Sequence, residues 1–123
     1  MTSPTILLVS NADTVLSRAR RKILDHAGYR IAGAGSLGLA ISLTHSLRVN
    51  LVILEEGFSD CEKAAFIEVL HESHPGLCVL CLGHGYIQPD LLLVECRSIL
   101  TAQTSGGGAT HFLYTKVPHQ RIA

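Results

Sequence analysis

The sequence lacks an excess of charge of either sign. Lysine plus arginine and aspartate plus glutamate each number 10 in a chain of 123 residues. A balanced chain has no broad electrostatic attraction for nucleic acid or an anionic membrane surface, so we expect neither as a partner. Arg18, Arg20, Arg21 and Lys22 do form a basic cluster, which we interpret as the solvated face of a helix.

Long apolar runs are also missing. No stretch reaches the ~20 apolar residues that a membrane-spanning helix needs. The segment Met1–Pro4 lacks the charged lead of a signal peptide. We therefore expect a cytoplasmic protein that forms a single domain over residues 1–123, which is long enough to bury a sizeable core.

Metal and redox motifs are incomplete. Cys78 and Cys81 have CxxC spacing but lie inside an apolar run, where residues three apart on a strand face opposite sides. Buried thiols are the expected outcome. His71 and His74 are one residue short of the spacing that puts two histidines on one helix face. We predict no metal site, no cofactor and no catalytic residue, so the protein is not expected to be an enzyme.

What is present is a series of short apolar runs that alternate with amphipathic segments. Five strands are predicted, at Thr5–Val9, Tyr29–Ala34, Leu51–Leu54, Leu77–Leu82 and Thr110–Val117. Four helices lie between them, opening at Asp13, at Ser36, at the capping box Ser59–Glu62 and at Asp90. In an alternative interpretation, Leu91–Cys96 is the last strand and everything after Gln103 is a tail.

Covered strands that alternate with helices predict an α/β fold, a doubly wound five-stranded parallel sheet of order 2-1-3-4-5 with right-handed crossovers. The carboxyl ends of the first and third strands then border a crevice. Ser10, Asn11 and Glu55 are expected to meet there. Gly83, His84 and either Thr115 or Lys116 would line its rim.

Several segments occur in an order and spacing that resemble a receiver (CheY-like) domain of two-component response regulators. The resemblance is strongest over residues 5–84 and weaker over 104–123. The segments are Ile6–Val9, Ala27-Gly28-Tyr29, Ala34-Gly35-Ser36, Asn50–Leu54, His74-Pro75, Gly108-Ala109 and Phe112-Leu113. The resemblance implies a flavodoxin-like fold, from which the last helix is missing because Val117–Ala123 is too short to form it.

The resemblance also implies where the chemistry of a receiver would lie, and each position departs from the usual residue. The acidic pair that holds magnesium falls on Ser10 and Asn11, the phosphoacceptor aspartate on Glu55, the hydroxyl on Gly83, and the lysine on Thr115, with Lys116 one residue late. One glutamate with two neutral side chains supplies too little charge to hold magnesium firmly. Without the metal, normal phosphoryl transfer is not expected.

Two interpretations of Glu55 remain open. Its longer anionic side chain could imitate an acyl-phosphate by contacting Lys116 or a backbone N–H. Alternatively, it is the residue of a decayed site. Either way, the resemblance implies an atypical receiver-like domain that acts in phosphorelay signal transduction by binding a protein partner, such as a histidine kinase or an effector. The missing last helix would leave an apolar sheet face exposed, through which the protein could form a homodimer, unless the residues around Thr104–Gly108 fold back over it.

A second motif competes with this interpretation. Gly33-Ala34-Gly35-Ser36-Leu37-Gly38 matches GxGxxG, and Glu55 or Glu56 follows about twenty residues later. That is the outline of a dinucleotide-binding (Rossmann-like) protein. The strand before the motif, from Tyr29, is weakly apolar, and a complete strand–helix unit already precedes it. A glycine-rich turn into a helix is therefore favoured over a cofactor site.

Overall fold

Residues 3–83, 87–102 and 110–113 are described by the computed structural model. They form a parallel five-stranded sheet in the order β2-β1-β3-β4-β5. The strands are β1 (Thr5–Val9), β2 (Arg30–Ala34), β3 (Leu51–Leu54), β4 (Cys78–Leu82) and β5 (Thr110–Leu113). The predicted fold class and strand order are confirmed, with β2 and β5 at the edges of the sheet.

Four helices are present among the described residues. They are α1 (Val15–His26), α2 (Leu37–Ser46), α3 (Asp60–Ser73) and α4 (Pro89–Ala102). None of these four helices is both long and apolar enough to cross a membrane. The last strand prediction is also resolved, because Leu91–Cys96 lies inside α4 and β5 begins at Thr110. No helix follows β5 within the described part of the chain, which ends at Leu113.

Polar side chains fix where the helices begin. Thr14, rather than the predicted Asp13, caps α1 by accepting a hydrogen bond from a backbone N–H of the first turn. Ser36 caps α2 as predicted. The predicted capping box of α3 is complete, since Ser59 Oγ accepts from the Glu62 N–H at 3.1 Å and Glu62 Oε1 accepts from the Ser59 N–H at 2.8 Å.

The three inner strands separate two apolar layers, because alternate side chains of a strand face opposite sides. One layer, on the side of α1, contains Ile6, Leu8, Leu51, Ile53, Cys78, Leu80 and Leu82. The other layer, on the side of α2 and α3, contains Leu7, Val9, Val52, Leu54, Val79 and Cys81. Cys78 and Cys81 are thus buried on opposite faces, as predicted, and their thiols are not bonded to each other.

Helix α4 lies on the α1 side of the sheet. Its buried residues Leu92, Cys96 and Ile99 belong to the same cluster as Leu24 of α1. The expectation of an exposed sheet face is therefore wrong for β1, β3 and β4. Ile53 and the neighbouring side chains on this face of the inner strands are buried. Helix α4 packs beside α1 and covers the part of the sheet that a last helix would otherwise cover.

The position of α4 gives the β4-α4-β5 connection an unusual handedness. The connections β3-α3-β4 and β4-α4-β5 step in the same direction across the sheet, yet α3 and α4 lie on opposite faces. The two units therefore have opposite hands, whereas crossovers between parallel strands are almost always right-handed. The expectation that every crossover is right-handed fails at α4, where covering the apolar face of the inner strands outweighs the usual preference.

Candidate functional site

A buried arginine lies at the centre of the polar site. Arg20, on α1, is only 1% exposed, although the sequence analysis assigned it to a solvated helix face. The error has a visible cause: Arg20 follows Leu16 by four residues and precedes Leu24 by four, so it lies within the apolar stripe of α1. That spacing was the sequence signal for burial, and Arg18, Arg21 and Lys22 are exposed as expected.

All five guanidinium N–H groups of Arg20 have a partner. Nη1 donates to Glu55 Oε2 at 2.7 Å and to Glu56 Oε1 at 2.8 Å, and Nη2 donates to Glu56 Oε2 at 2.7 Å. Nε and Nη2 both donate to the backbone carbonyl of Ile87, at 3.0 and 2.8 Å. Arg20 therefore ties α1 to the end of β3 and to the segment that leads into α4.

Glu55 is held entirely by groups on α1. Its side chain is 2% exposed, with Oε2 bonded to Arg20 and Oε1 accepting a 2.7 Å hydrogen bond from the Ser17 hydroxyl. Its backbone N–H bonds the carbonyl of Val9, which fixes the strand end beneath it. Neither Ser17 nor Arg20 was predicted as a partner of Glu55, and the predicted cation, Lys116, lies outside the described residues.

Arg20, Glu55 and Glu56 form a cluster of side chains joined by ion pairs, here called the Arg20 cluster. In it, Arg20 and Glu56 shift each other's pKa. Burial acts to raise the pKa of Glu56, but the hydrogen bonds and charge of Arg20 outweigh it and hold that pKa below its ordinary value. Burial acts to lower the pKa of Arg20, and its two glutamate partners reverse the effect, so this pKa is raised. The ionised forms of both groups are therefore favoured.

Ser10 and Asn11 lie at the carboxyl end of β1, as predicted, but neither bonds Glu55. The Ser10 hydroxyl donates to the carbonyl of Ala12 at 2.6 Å. Asn11 Nδ2 donates to the carbonyl of Gly57 at 2.7 Å and so links the β1 end to the loop after β3. Gly57 has a φ of 109°, and an added Cβ there would lie 2.5 Å from Asn11 Oδ1.

The remaining predicted site residues contribute little polar chemistry. Gly83 is buried just after β4 and lines a small cavity of about 220 Å³ together with Glu56, Gly57 and Lys63. His84, Thr115 and Lys116 lie outside the described residues. Among residues 3–83, 87–102 and 110–113, no group of three or more histidine, cysteine, aspartate or glutamate side chains is arranged to hold a metal ion.

The donor set does not fit a magnesium ion. Each carboxylate oxygen of Glu55 already accepts a hydrogen bond, from Ser17 or from Arg20, and the nearby Glu56 is paired with the same guanidinium. Magnesium prefers ionised oxygen ligands with several waters around it. A cation brought to Glu55 would have to displace a guanidinium that makes five hydrogen bonds, so the arrangement favours a fixed internal ion pair over metal binding.

The glycine motif Gly33–Gly38 begins in β2, which lies on the other side of β1 from β3 and Glu55. Gly33 and Ala34 end the edge strand β2, and Ser36 caps α2. The preceding strand is therefore an edge strand and not the buried central strand that a dinucleotide fingerprint requires. Glu55 is turned toward α1 and bonded there, so it is not available to bind a ribose at this turn.

Comparison with known proteins gives matches at the level of structure only. No family model and no curated protein sequence matches the chain. A response regulator receiver domain protein (CheY-like) from Methanospirillum hungatei JF-1 aligns over 94% of this chain and 84% of its own, with a TM-score of 0.64 and 21% identity.

Two further structures agree with this match. The signal receiver domain of an HD domain-containing protein from Pseudomonas fluorescens Pf-5 covers 85% of this chain and 92% of its own, with a TM-score of 0.70 and 22% identity. The receiver domain of NtrC4 from Aquifex aeolicus covers 82% and 97%, with a TM-score of 0.65 and 20% identity. At these identities the likeness establishes the fold of the chain.

Proposed function

Taking the receiver fold as the premise, we propose that this protein is an atypical receiver-like domain that acts in two-component or phosphorelay signal transduction. It works by contact with another protein, such as a histidine kinase or an effector. It has no catalytic activity of its own and is not phosphorylated in the magnesium-dependent way. The observation that carries the proposal is the buried ion pair between Arg20 and Glu55.

The burial of Glu55 supports the absence of phosphoryl transfer. A carboxylate that attacks a phosphoryl group needs a free oxygen in line with its donor. Both oxygens of Glu55 are bonded, and the side chain is 2% exposed. Freeing it would leave Arg20 buried without one of its two anionic partners, which is costly for an ion inside a protein.

The same contacts suggest what replaces the chemical signal. Arg20 joins α1, the end of β3 and the Ile87 segment before α4 through charged hydrogen bonds. In this account the ion pairs hold these segments in one arrangement at all times, so the partner-binding surface is preset. The hypothesis that Glu55 imitates an acyl-phosphate is thereby modified: its cation is Arg20, which approaches from inside the fold.

The outer face of α4 is the surface we propose for the partner. Leu91 and Val94 are one helical turn apart and are 45% and 61% exposed, although both are large apolar side chains. The helix is anchored beneath them by Leu92, Cys96 and Ile99. The resemblance to receivers implies a contact surface at the edge formed by the fourth helix and the fifth strand, and α4 lies on the α1 side of the sheet in this protein.

Treatment with acetyl phosphate and magnesium, followed by intact-mass measurement, tests the absence of phosphorylation. We expect no gain of a phosphoryl group, whereas an ordinary receiver domain treated in parallel should gain one. The Glu55→Gln variant is the matched control for the position of any modification. A phosphoryl adduct that appears on the wild-type protein and disappears in Glu55→Gln would refute the proposal.

A further inference from the structure

A cavity of about 380 Å³ opens at the carboxyl ends of β1 and β2, and Ser17, which donates to Glu55, forms part of its wall. Its walls come from the start of α1 and from the glycine turn that follows β2. The polar and glycine residues of these walls include Ser10, Asp13, Ser17, Arg18, Arg21, Gly33 and Gly35. The cavity lies on the carboxyl-end side of the sheet, one strand away from the switch point between β1 and β3 at which ligands of such sheets usually bind.

Arg21 lies against the backbone of β2 at this cavity. A Cβ placed on Gly33 would be 3.0 Å from Arg21 Nη1 and 3.8 Å from Cζ. The absence of a side chain at Gly33 therefore lets the guanidinium approach the strand closely. The side chain of Arg21 makes no hydrogen bond or ion pair with any residue in the ranges that the structure describes, so its donors are available to a ligand.

The surrounding charges favour an anion. Arg18 lies on the same wall, one turn before Arg21, and its Nη1 is 3.7 Å from Asp13 Oδ2. That pair is well exposed and balances itself. Lys22 and Asp25 line an adjoining cavity together with both arginines. Arg18, Arg21 and Lys22 against Asp13 and Asp25 leave one positive charge in excess on this surface.

We propose that this cavity binds the phosphate group of a small molecule. Arg21 supplies the charged donors, and Ser10, Ser17 and the close backbone at Gly33 and Gly35 form the rest of the wall. The hydroxyl protons of Ser10 and Ser17 are already donated to the Ala12 carbonyl and to Glu55. Arginine suits phosphate because its planar fork can donate two parallel hydrogen bonds.

This inference gives the glycine motif a role that its resemblance to a dinucleotide fingerprint does not. Gly33 makes room for an arginine and not for a pyrophosphate. The cavity is also near the lower end of the volumes that hold drug-sized ligands, roughly 300–1,000 Å³. A phosphate with a small organic part fits these dimensions. The inference does not depend on the proposed signalling role or on the state of Glu55.

Titrations followed by backbone amide NMR test the site. Inorganic phosphate, ATP and NADH are each added to the full chain at low salt. We expect saturable shifts of the Ser10, Gly33 and Gly35 amides with at least one of them, and weaker binding at higher salt. The ligand that binds most tightly distinguishes a free phosphate from one carried by a nucleotide or a dinucleotide.

Two variants and a control assign the binding to Arg21. Arg21→Gln should weaken binding about tenfold or more, since it removes the charged donors. Gly33→Ala should also weaken it by pushing the guanidinium away from the strand. Arg30→Gln, at the amino end of β2, removes an exposed arginine far from the cavity and should leave the affinity unchanged. Absence of saturable shifts with all three ligands at millimolar concentration, or equal affinity in Arg21→Gln, would overturn the inference.

Discussion

Replacing Arg20 by methionine should cost this fold a large part of its stability. The substitution keeps a long side chain in the apolar stripe of α1 but removes all five donors. Glu55, at 2% exposure, would keep only Ser17 as a partner, and the carbonyl of Ile87 would lose both of its bonds from the guanidinium. Removing one member of a buried ion pair costs about 3–5 kcal/mol.

That magnitude is a large share of the roughly 5–15 kcal/mol that keeps a domain folded. Urea unfolding followed by circular dichroism measures it directly. With a slope of about 2 kcal/mol per molar urea, the midpoint of Arg20→Met should fall by about 2 M. Lys22→Met, on the exposed face of the same helix, is the control and should change the unfolding free energy by no more than about 0.5 kcal/mol.

A double variant separates the ion pair from simple packing. Replacing a buried charged pair by apolar residues is often neutral or stabilising. Arg20→Met combined with Glu55→Leu should therefore recover part of the stability that Arg20→Met loses, giving a coupling free energy of about 1 kcal/mol or more. A single variant that loses less than about 1 kcal/mol, or a double variant no more stable than Arg20→Met, would refute the reasoning.

Three further predictions follow from the same contacts. Ser17→Ala should lower the unfolding free energy by about 1–3 kcal/mol in urea titrations, because Glu55 Oε1 loses its donor; a loss equal to that of the exposed Ser42→Ala would contradict it. Gly57→Ala should destabilise the fold by at least about 1 kcal/mol in the same assay, since φ is 109° and the new Cβ would lie 2.5 Å from Asn11 Oδ1; an unchanged midpoint would contradict it. The pKa of Glu56 is held below its ordinary value of 4.5, so its contribution to stability is complete above that pH and is lost as the pH falls through the lowered pKa; Glu56→Gln should flatten the acid side of the stability profile, whereas exposed Glu68→Gln should flatten it less.

Much of the fold follows from local sequence patterns. Runs such as Leu51–Leu54 are apolar at every position, which predicts strands covered on both faces, and Ser36 and the Ser59–Glu62 box mark helix starts through side-chain hydrogen bonds. These signals are local, so they predict elements and their order. The side of the sheet on which α4 packs depends instead on which apolar face lacks a cover. No pattern within 89–102 contains that information.

The location of the site at the strand ends was predicted from the sequence, but the hydrogen-bond partners of its side chains were not. Glu55 was identified because it directly follows a buried strand, and a strand end fixes where a backbone lies. The direction and partner of its side chain depend on a residue 35 positions earlier. Arg20 could have been recognised from its place between Leu16 and Leu24, because an arginine in an apolar stripe requires a buried anion. Glu55 and Glu56, at the end of β3, are the acids that bind Arg20.

Arg20 pairs with the carboxylate of Glu55, at the position where, in our proposal, a receiver would bind magnesium and accept phosphate. The most direct test is a titration of the protein with magnesium, and then with magnesium and beryllofluoride, observed through the backbone amides of Ser10, Asn11 and Glu55 and the Nε–H of Arg20. The account predicts that these signals do not shift in a saturable manner and that the Arg20 Nε–H stays protected from exchange with solvent. Saturable shifts at the three amides, accompanied by loss of that protection, would contradict it.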